Sequence, residues 1–80
     1  MNRKDKTYLE IINSVSKIIN EDVNVLNSKS KINDFVNWDS ISHVNILLKI
    51  SKNFKIEIPG SEYQNLLSIG QIYNYILKKK

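Results

Sequence analysis

A strongly apolar segment between Asp39 and Asn53 constrains the fold more than any other part of the sequence. Its apolar residues recur at the three- and four-residue spacing of an α-helix. They cover an arc of roughly 220° around the helix axis, wider than the stripe of an ordinary surface helix. The members of this arc are Ile41, Val44, Ile46, Leu47, Leu48, Ile50 and Phe54. Such an arc predicts a central helix that contacts several neighbours, a helix whose edge at Ile41 and Leu48 stays exposed for partners, or both.

The start of this helix carries two polar residues with distinct predicted roles. Asp39 is predicted to be the N-cap, because a short carboxylate can accept a hydrogen bond from the unpaired amides of the first turn. Ser40 then occupies the first helical position. Free amides and the helix dipole favour an anion there, and phosphate suits such a position. A serine at a helix tip without catalytic groups beside it is more typical of an attachment point than of a nucleophile.

Helical patterns are also found at the N-terminal side of the chain. Apolar residues at positions i, i+3, i+4 and i+7 predict an amphipathic first helix over about 5–20. Residues 21–38 are predicted to form a long loop, because Asn, Asp and Ser cluster there. The loop also contains apolar residues that we expect to anchor it on the core. These are Val23, Val25, Leu26, Ile32, Phe35 and Val36.

The last third of the chain predicts one extended piece and two further helices. Residues 55–59 alternate apolar and polar residues, but nothing else in the chain could pair with them as a strand. Ser61-x-x-Gln64 and Ser68-x-x-Gln71 each match a capping box. The first predicts a short helix that ends near residue 67, and the second predicts a last helix that ends near residue 79.

Together these elements predict an all-α fold, a small four-helix bundle with a long loop between helices 1 and 2. Eighty residues are enough for one domain. We therefore expect residues 1–80 to form a single domain, in which the charged residues 1–4 are frayed.

Composition excludes several classes of protein. The chain has no cysteine, so neither a disulfide framework nor a thiolate metal site is available. One histidine with Asp34 and Asp39 is too small a set to bind a metal ion. No apolar run approaches the roughly 20 residues that cross a bilayer, and the N-terminus is too polar for a signal peptide. The expected location is the cytoplasm, without membrane insertion.

The net charge of +4 has two interpretations. It could serve an acidic partner or nucleic acid, or it could reflect a composition dominated by Lys, Asn and Ile. Arginine, which reads bases and phosphates better than lysine, occurs only at Arg3, and the lysines are scattered. These features favour the compositional interpretation over a nucleic-acid surface. A small basic nucleic-acid binder stays the weaker alternative and predicts salt-sensitive association with DNA or RNA.

Ser40, His43 and Asp39 superficially match a catalytic triad. A triad needs a base that a third group orients, and an oxyanion hole near the serine. Asp39 is adjacent to Ser40 and already serves as a cap, and no second carboxylate is placed to orient His43. Although His43 lies one turn from Ser40, close enough to touch it, we predict a protein that is not an enzyme, with no catalytic residue and no metal site.

Two blocks of this sequence resemble the acyl carrier protein family. Asp39-Ser40-Ile41 is similar to the family's Asp-Ser-Leu motif. The segment Phe-Lys-Ile-Glu-Ile-Pro at 54–59 resembles the family's Phe-Gly-Ile-Glu-Ile-Pro segment, at the usual distance from the serine. The family's closing pattern is matched without a gap by Leu66, Ser68, Ile69, Tyr75 and Ile76. The resemblance is clear over 32–77, and the second block makes it far more specific than the triplet alone.

The resemblance implies that Ser40 carries 4′-phosphopantetheine, which a phosphopantetheinyl transferase moves from coenzyme A with Mg²⁺. The thiol of this group would hold an acyl or aminoacyl group as a thioester and carry it between loading and transfer enzymes. Asp39 would cap the helix and help the transferase to recognise the site. Partner contacts are expected at Ile41, Ser42, His43 and Leu48. The resemblance is to a monomeric carrier.

Several residues differ from typical fatty-acid carriers. Their second helix is rich in Asp and Glu, whereas this one has neither and carries Lys49 and Lys52. Ser42 replaces a usually acidic residue, Asn37 stands where glycine is common, and Trp38 precedes the motif. These differences indicate a specialised carrier in fatty-acid-like, polyketide-like or surface-polysaccharide biosynthesis, with partners that are more acidic or apolar than usual. The alternative is a helical interaction module that has this fold and carries no cofactor.

Overall fold

The computed structural model describes residues 5–79, and the predicted frayed segment, residues 1–4, lies outside the described residues. Three α-helices form the body of the fold: α1 (Lys6–Ile19), α2 (Ser40–Phe54) and α3 (Ile69–Lys79). A 3₁₀ helix, Val23–Val25, lies between α1 and α2, and another, Gly60–Asn65, lies between α2 and α3. Over 5–79 there is no strand, and the all-α prediction is confirmed. None of the described helices is long and apolar enough to cross a membrane.

The first helix has clear start and stop signals. The Asp5 carboxylate accepts a hydrogen bond from the Thr7 amide at 2.8 Å, and Asn20 ends the helix in the left-handed conformation with φ 58°. Asparagine tolerates this conformation better than most residues. The buried face of α1 consists of Thr7, Tyr8, Ile11, Ile12, Ser14, Val15 and Ile19. The helix predicted over 5–20 therefore forms, with its first and last residues as caps.

The wide apolar arc of α2 includes an exposed edge. It is α1 that packs against both α2 and α3. One side of α2 buries His43, Ile46, Leu47 and Ile50. On the other side Ile41, Val44 and Leu48 are 76%, 40% and 53% exposed. Of the two interpretations of the arc, the structure supports the exposed edge.

The loop between α1 and α2 is anchored by fewer of its apolar residues than the sequence predicts. Leu26 is buried, and Ile32 and Phe35 are half-buried against the core. Val23, Val25 and Val36 are exposed, Val36 to 93%. The prediction is wrong for these three. The indole of Trp38, which is completely buried, anchors the end of this loop instead.

The loop is held to the start of α3 by main-chain hydrogen bonds. Ile69 N donates to Ser30 O at 3.0 Å, and Gly70 N donates to Ser28 O at 2.9 Å. Ile32 N also donates to the carbonyl of residue 67 at 3.0 Å. A Cβ at Gly70 would lie 2.9 Å from Ser28 O, so glycine is required for this approach. These bonds attach the loop that leads into α2 to residues 67–70 at the start of α3.

The two predicted capping boxes have different outcomes. Ser68 and Gln71 form one: Gln71 N donates to Ser68 Oγ at 3.2 Å, and Ser68 N donates to Gln71 Oε1 at 3.1 Å. Ser61 and Gln64 do not, and that prediction is wrong. Pro59, with φ −62°, lets the helix begin at Gly60, before Ser61 could act as its cap, and the element is a 3₁₀ helix.

Candidate functional site

Asp39 sets the start of α2. Its backbone is extended, and its carboxylate accepts a hydrogen bond from the Ser42 amide at 2.9 Å. Its carbonyl accepts the first intrahelical bond, from His43 N at 2.9 Å. The bond from the Ser42 amide holds the pKa of the Asp39 carboxyl below its usual value. Asp39 is thus the N-cap of the helix and is ionised at neutral pH.

Ser40 is the first residue of α2 and is exposed to solvent. Within residues 5–79 its hydroxyl has no hydrogen-bond partner. It lies at the positive end of the dipole of a 15-residue helix. An exposed hydroxyl at such an end is accessible to a second protein and suits a phosphate ester.

His43 cannot act as a general base for Ser40, because both of its ring nitrogens are engaged elsewhere. Trp38 Nε1 donates to His43 Nδ1 at 3.0 Å, and His43 Nε2 lies 2.8 Å from the Leu66 carbonyl oxygen. The His43 side chain is only 4% exposed. Burial lowers its pKa, while the bond to Leu66 acts in the opposite direction.

The burial of His43 separates it from the other predicted partner contacts. Ile41 and Leu48 are exposed, and Ser42 is half-buried. His43 lies inside the domain and offers no side-chain surface to a partner. The burial of Trp38 was missed from the sequence, which carries no clear signal for it.

The exposed side of α2 combines apolar and cationic residues. Ile41, Val44 and Leu48 follow one another at helical spacing, and Val44 was not among the predicted contacts. Lys52 lies one turn beyond Leu48, and Lys49 flanks the same side; neither Asp nor Glu occurs in α2. Here the name partner face is used for Ile41, Val44, Leu48, Lys49 and Lys52.

The described residues contain no group of His, Asp and Glu that could hold a metal ion.

An exposed serine at a helix tip, with an exposed apolar face beside it, fits an attachment point better than a catalytic serine. No family model matches the chain. It is 31% identical over 77 residues to an acyl carrier protein of Campylobacter fetus, covering 89% of this chain and all of that protein. It is 31% identical to an acyl carrier protein of Campylobacter lari over 85% of this chain and 94% of that protein. An acyl carrier protein of Chlorobium phaeovibrioides is 28% identical over 95% of this chain and 92% of its own length. The chain belongs to the acyl carrier protein family and is a carrier, not a catalyst.

Proposed function

We propose that 4′-phosphopantetheine is attached to Ser40, and that residues 1–80 act as a single, monomeric carrier domain in the cytoplasm. The observation that carries this proposal is the exposed, unpartnered hydroxyl of Ser40 at the first position of α2. The residues present fit the group, because a phosphodiester needs a free hydroxyl and is stabilised at a helix N-terminus. When bound, the group supplies a thiol that holds an acyl or aminoacyl group as a thioester.

The chain supplies the acceptor oxygen and leaves the acid–base chemistry to the transferase. Ser40 Oγ would form the new bond to phosphorus and lose its proton, while 3′,5′-ADP leaves from coenzyme A. His43 cannot take that proton, since its nitrogens are bonded to Trp38 and Leu66. Asp39 would contribute by capping the helix and by giving the transferase a fixed carboxylate beside the acceptor.

The partner face would bind the transferase and the enzymes that load and transfer the cargo. Ile41 and Leu48 are exposed enough to bury substantial apolar area in a complex, and Ser42 lies beside them. The absence of Asp and Glu from α2, together with Lys49 and Lys52, favours partner surfaces that are apolar or acidic. This supports a specialised carrier in fatty-acid-like, polyketide-like or surface-polysaccharide biosynthesis.

The test is an intact-mass measurement after incubation with coenzyme A, Mg²⁺ and a broad-specificity phosphopantetheinyl transferase. We expect a gain of one phosphopantetheinyl group, which Ser40→Ala abolishes. Ser61→Ala is the matched control, because Ser61 is also an exposed serine at the start of a helix, and it should gain the full mass. A gain that persists in Ser40→Ala would contradict the assignment.

A second candidate, an interaction module without cofactor, is favoured by the exposed partner face alone. It predicts no mass gain with any of several transferases and unimpaired partner binding by Ser40→Ala. Substitution of Ile41 by a charged residue would abolish that binding.

A further inference from the structure

A buried chain of hydrogen bonds connects the carrier site, the helix tip formed by Asp39 and Ser40, to Leu66 near the end of the connection between α2 and α3. Trp38 lies two residues before Ser40, and His43 lies three residues after it. The Trp38 and His43 rings are stacked, with centroids 6.1 Å apart and 28° between their planes. His43 in turn reaches the carbonyl of Leu66, which is 23 residues away in the sequence. The chain of bonds therefore spans both sides of the serine in the sequence and ends at Leu66, directly after the 3₁₀ helix Gly60–Asn65.

The bonding partners determine the protonation state of His43. An indole N–H can only donate, so Nδ1 must accept and carries no proton. A carbonyl oxygen can only accept, so Nε2 carries the proton. Protonation of Nδ1 would place two N–H groups against each other and break the link to Trp38. The arrangement is complete only with a neutral imidazole.

Burial lowers the pKa of His43, and the hydrogen bond to the Leu66 carbonyl raises it. The segments that carry His43 and its bonded partners contain the titratable groups Asp34, Asp39, Lys49, Lys52, Glu62 and Tyr63. The helix α1, which packs against α2, adds Lys6, Tyr8, Glu10 and Lys17. The Asp39 carboxylate is turned to the Ser42 amide, and the Asp34 carboxylate accepts from the main chain at residue 31. Uptake of a proton by the imidazole therefore changes its hydrogen bonds to two uncharged groups, the Trp38 indole and the Leu66 carbonyl.

Trp38 is also part of the main-chain structure of the loop. Trp38 N donates to Phe35 O at 2.9 Å, and Asn33 N donates to Trp38 O at 2.8 Å. If the indole leaves its place, these two bonds and the cap at Asp39 must readjust. The side chain of Trp38 thus fixes the direction from which the chain enters α2.

We propose that neutral His43 is a positioning residue for the carrier site, which holds Trp38, and through it the tip formed by Asp39 and Ser40, in the geometry that a phosphopantetheinyl transferase accepts. This inference rests on the proposed attachment at Ser40. His43 does not touch the reacting oxygen and acts only through Trp38. Protonation of His43 releases the indole and loosens the tip.

Two substitutions separate the two bonds of His43. In His43→Asn the amide oxygen takes the place of Nδ1 and keeps an acceptor for Trp38. In His43→Gln the amide nitrogen takes the place of Nε2, keeps a donor for Leu66, and leaves the indole N–H without a partner. We expect His43→Gln to raise KM for the carrier in the transferase reaction about tenfold at unchanged kcat, because only a fraction of molecules then presents the competent tip. His43→Asn should rescue most of this loss.

Ile76→Val is the control for a general loss of stability, because Ile76 is completely buried in α3 and its shortening destabilises the core moderately. Its KM should equal that of the natural protein. The same KM for His43→Gln and Ile76→Val would overturn the positioning role. Absence of modification of the natural protein would count against the proposed function alone.

Hydrogen exchange then decides the positioning role without a transferase. We expect the amides of Ser42 and His43, which donate to the carboxylate and the carbonyl of Asp39, to lose protection in His43→Gln and to keep it in Ile76→Val; equal protection in both would overturn the inference. Trp38 and His43 are the only tryptophan and the only histidine of the chain, so tryptophan fluorescence reports the link directly. It should change with a midpoint below pH 6.5 in the natural protein and stay flat in His43→Gln. A flat profile in the natural protein would overturn the requirement for a neutral ring.

Discussion

Replacement of Trp38 by alanine tests whether the end of the loop before α2 belongs to the hydrophobic core. Trp38 is completely buried and donates a hydrogen bond to His43 at 3.0 Å. Removal of a buried tryptophan side chain costs about 3–5 kcal/mol, and the lost hydrogen bond adds about 1 kcal/mol. A domain of this size has a free energy of unfolding of roughly 4–12 kcal/mol, so Trp38→Ala should lose a large part of its stability.

The assay is urea unfolding followed by circular dichroism in the far ultraviolet, since the substitution removes the fluorescent side chain. Val36→Ala is the matched control: Val36 lies two residues earlier in the same loop but is 93% exposed. Its free energy of unfolding should change by no more than about 0.5 kcal/mol. A loss of less than about 1 kcal/mol for Trp38→Ala, or equal losses for the two variants, would refute the conclusion that the indole is a core residue.

Three further predictions concern other parts of the molecule. Gly70→Ala should destabilise the fold by about 1–3 kcal/mol, because the added Cβ would lie 2.9 Å from the carbonyl oxygen of Ser28. Gly60→Ala is the control and should not destabilise it, because there is open space around Gly60. Equal midpoints of thermal unfolding for the two variants would contradict the close approach. The pKa of His43 lies below its ordinary value of 6.5 in the folded protein, so the unfolded chain binds the proton first. The free energy of unfolding should therefore fall as the pH drops below 6.5. Urea unfolding at about pH 7.5 and at about pH 5 measures this fall, and a fall no larger than that of His43→Asn would refute the prediction. Ile41→Ala should change the free energy of unfolding by no more than about 0.5 kcal/mol. Ile46 is completely buried on the same helix, so Ile46→Ala should lower this free energy by about 2–5 kcal/mol. Similar losses for the two variants in urea unfolding would contradict the assignment of the two sides of α2.

The helices and their caps could be predicted because they depend on neighbours in the sequence. Asp39 caps α2 through an amide three residues away, and Ser68 and Gln71 cap α3 over the same distance. The exposed edge of α2 was one of two interpretations of its apolar arc, and only the position of α1 decides between them. Periodicity gives the faces of a helix but not which neighbour covers each face.

The contacts that the sequence did not reveal are those between distant segments. The ring N–H of His43 donates to the main-chain carbonyl of Leu66, and no side-chain pattern in the sequence marks a carbonyl as a hydrogen-bond partner. In the loop, Val36 and Trp38 are both apolar, yet one is exposed and the other is completely buried. A loop has no fixed period that would tell which of the two points inward, and this loop also turns at Asn33 in the left-handed conformation, with φ 74°.

The hydrogen bonds between the first loop and the start of α3 affect the order in which the site is completed. Ser28 and Ser30 precede the helix tip, but their main-chain partners, Gly70 and Ile69, are synthesised some 40 residues later. A nascent chain that has emerged from the ribosome only as far as α2 would contain Ser40. It would lack the main-chain partners at Ile69 and Gly70 that fix the loop before α2. The candidate site in the middle of the sequence therefore depends on residues that are synthesised last. If Ser40 is modified as proposed, a nascent or truncated chain that lacks α3 should be a poor substrate even though it contains Ser40.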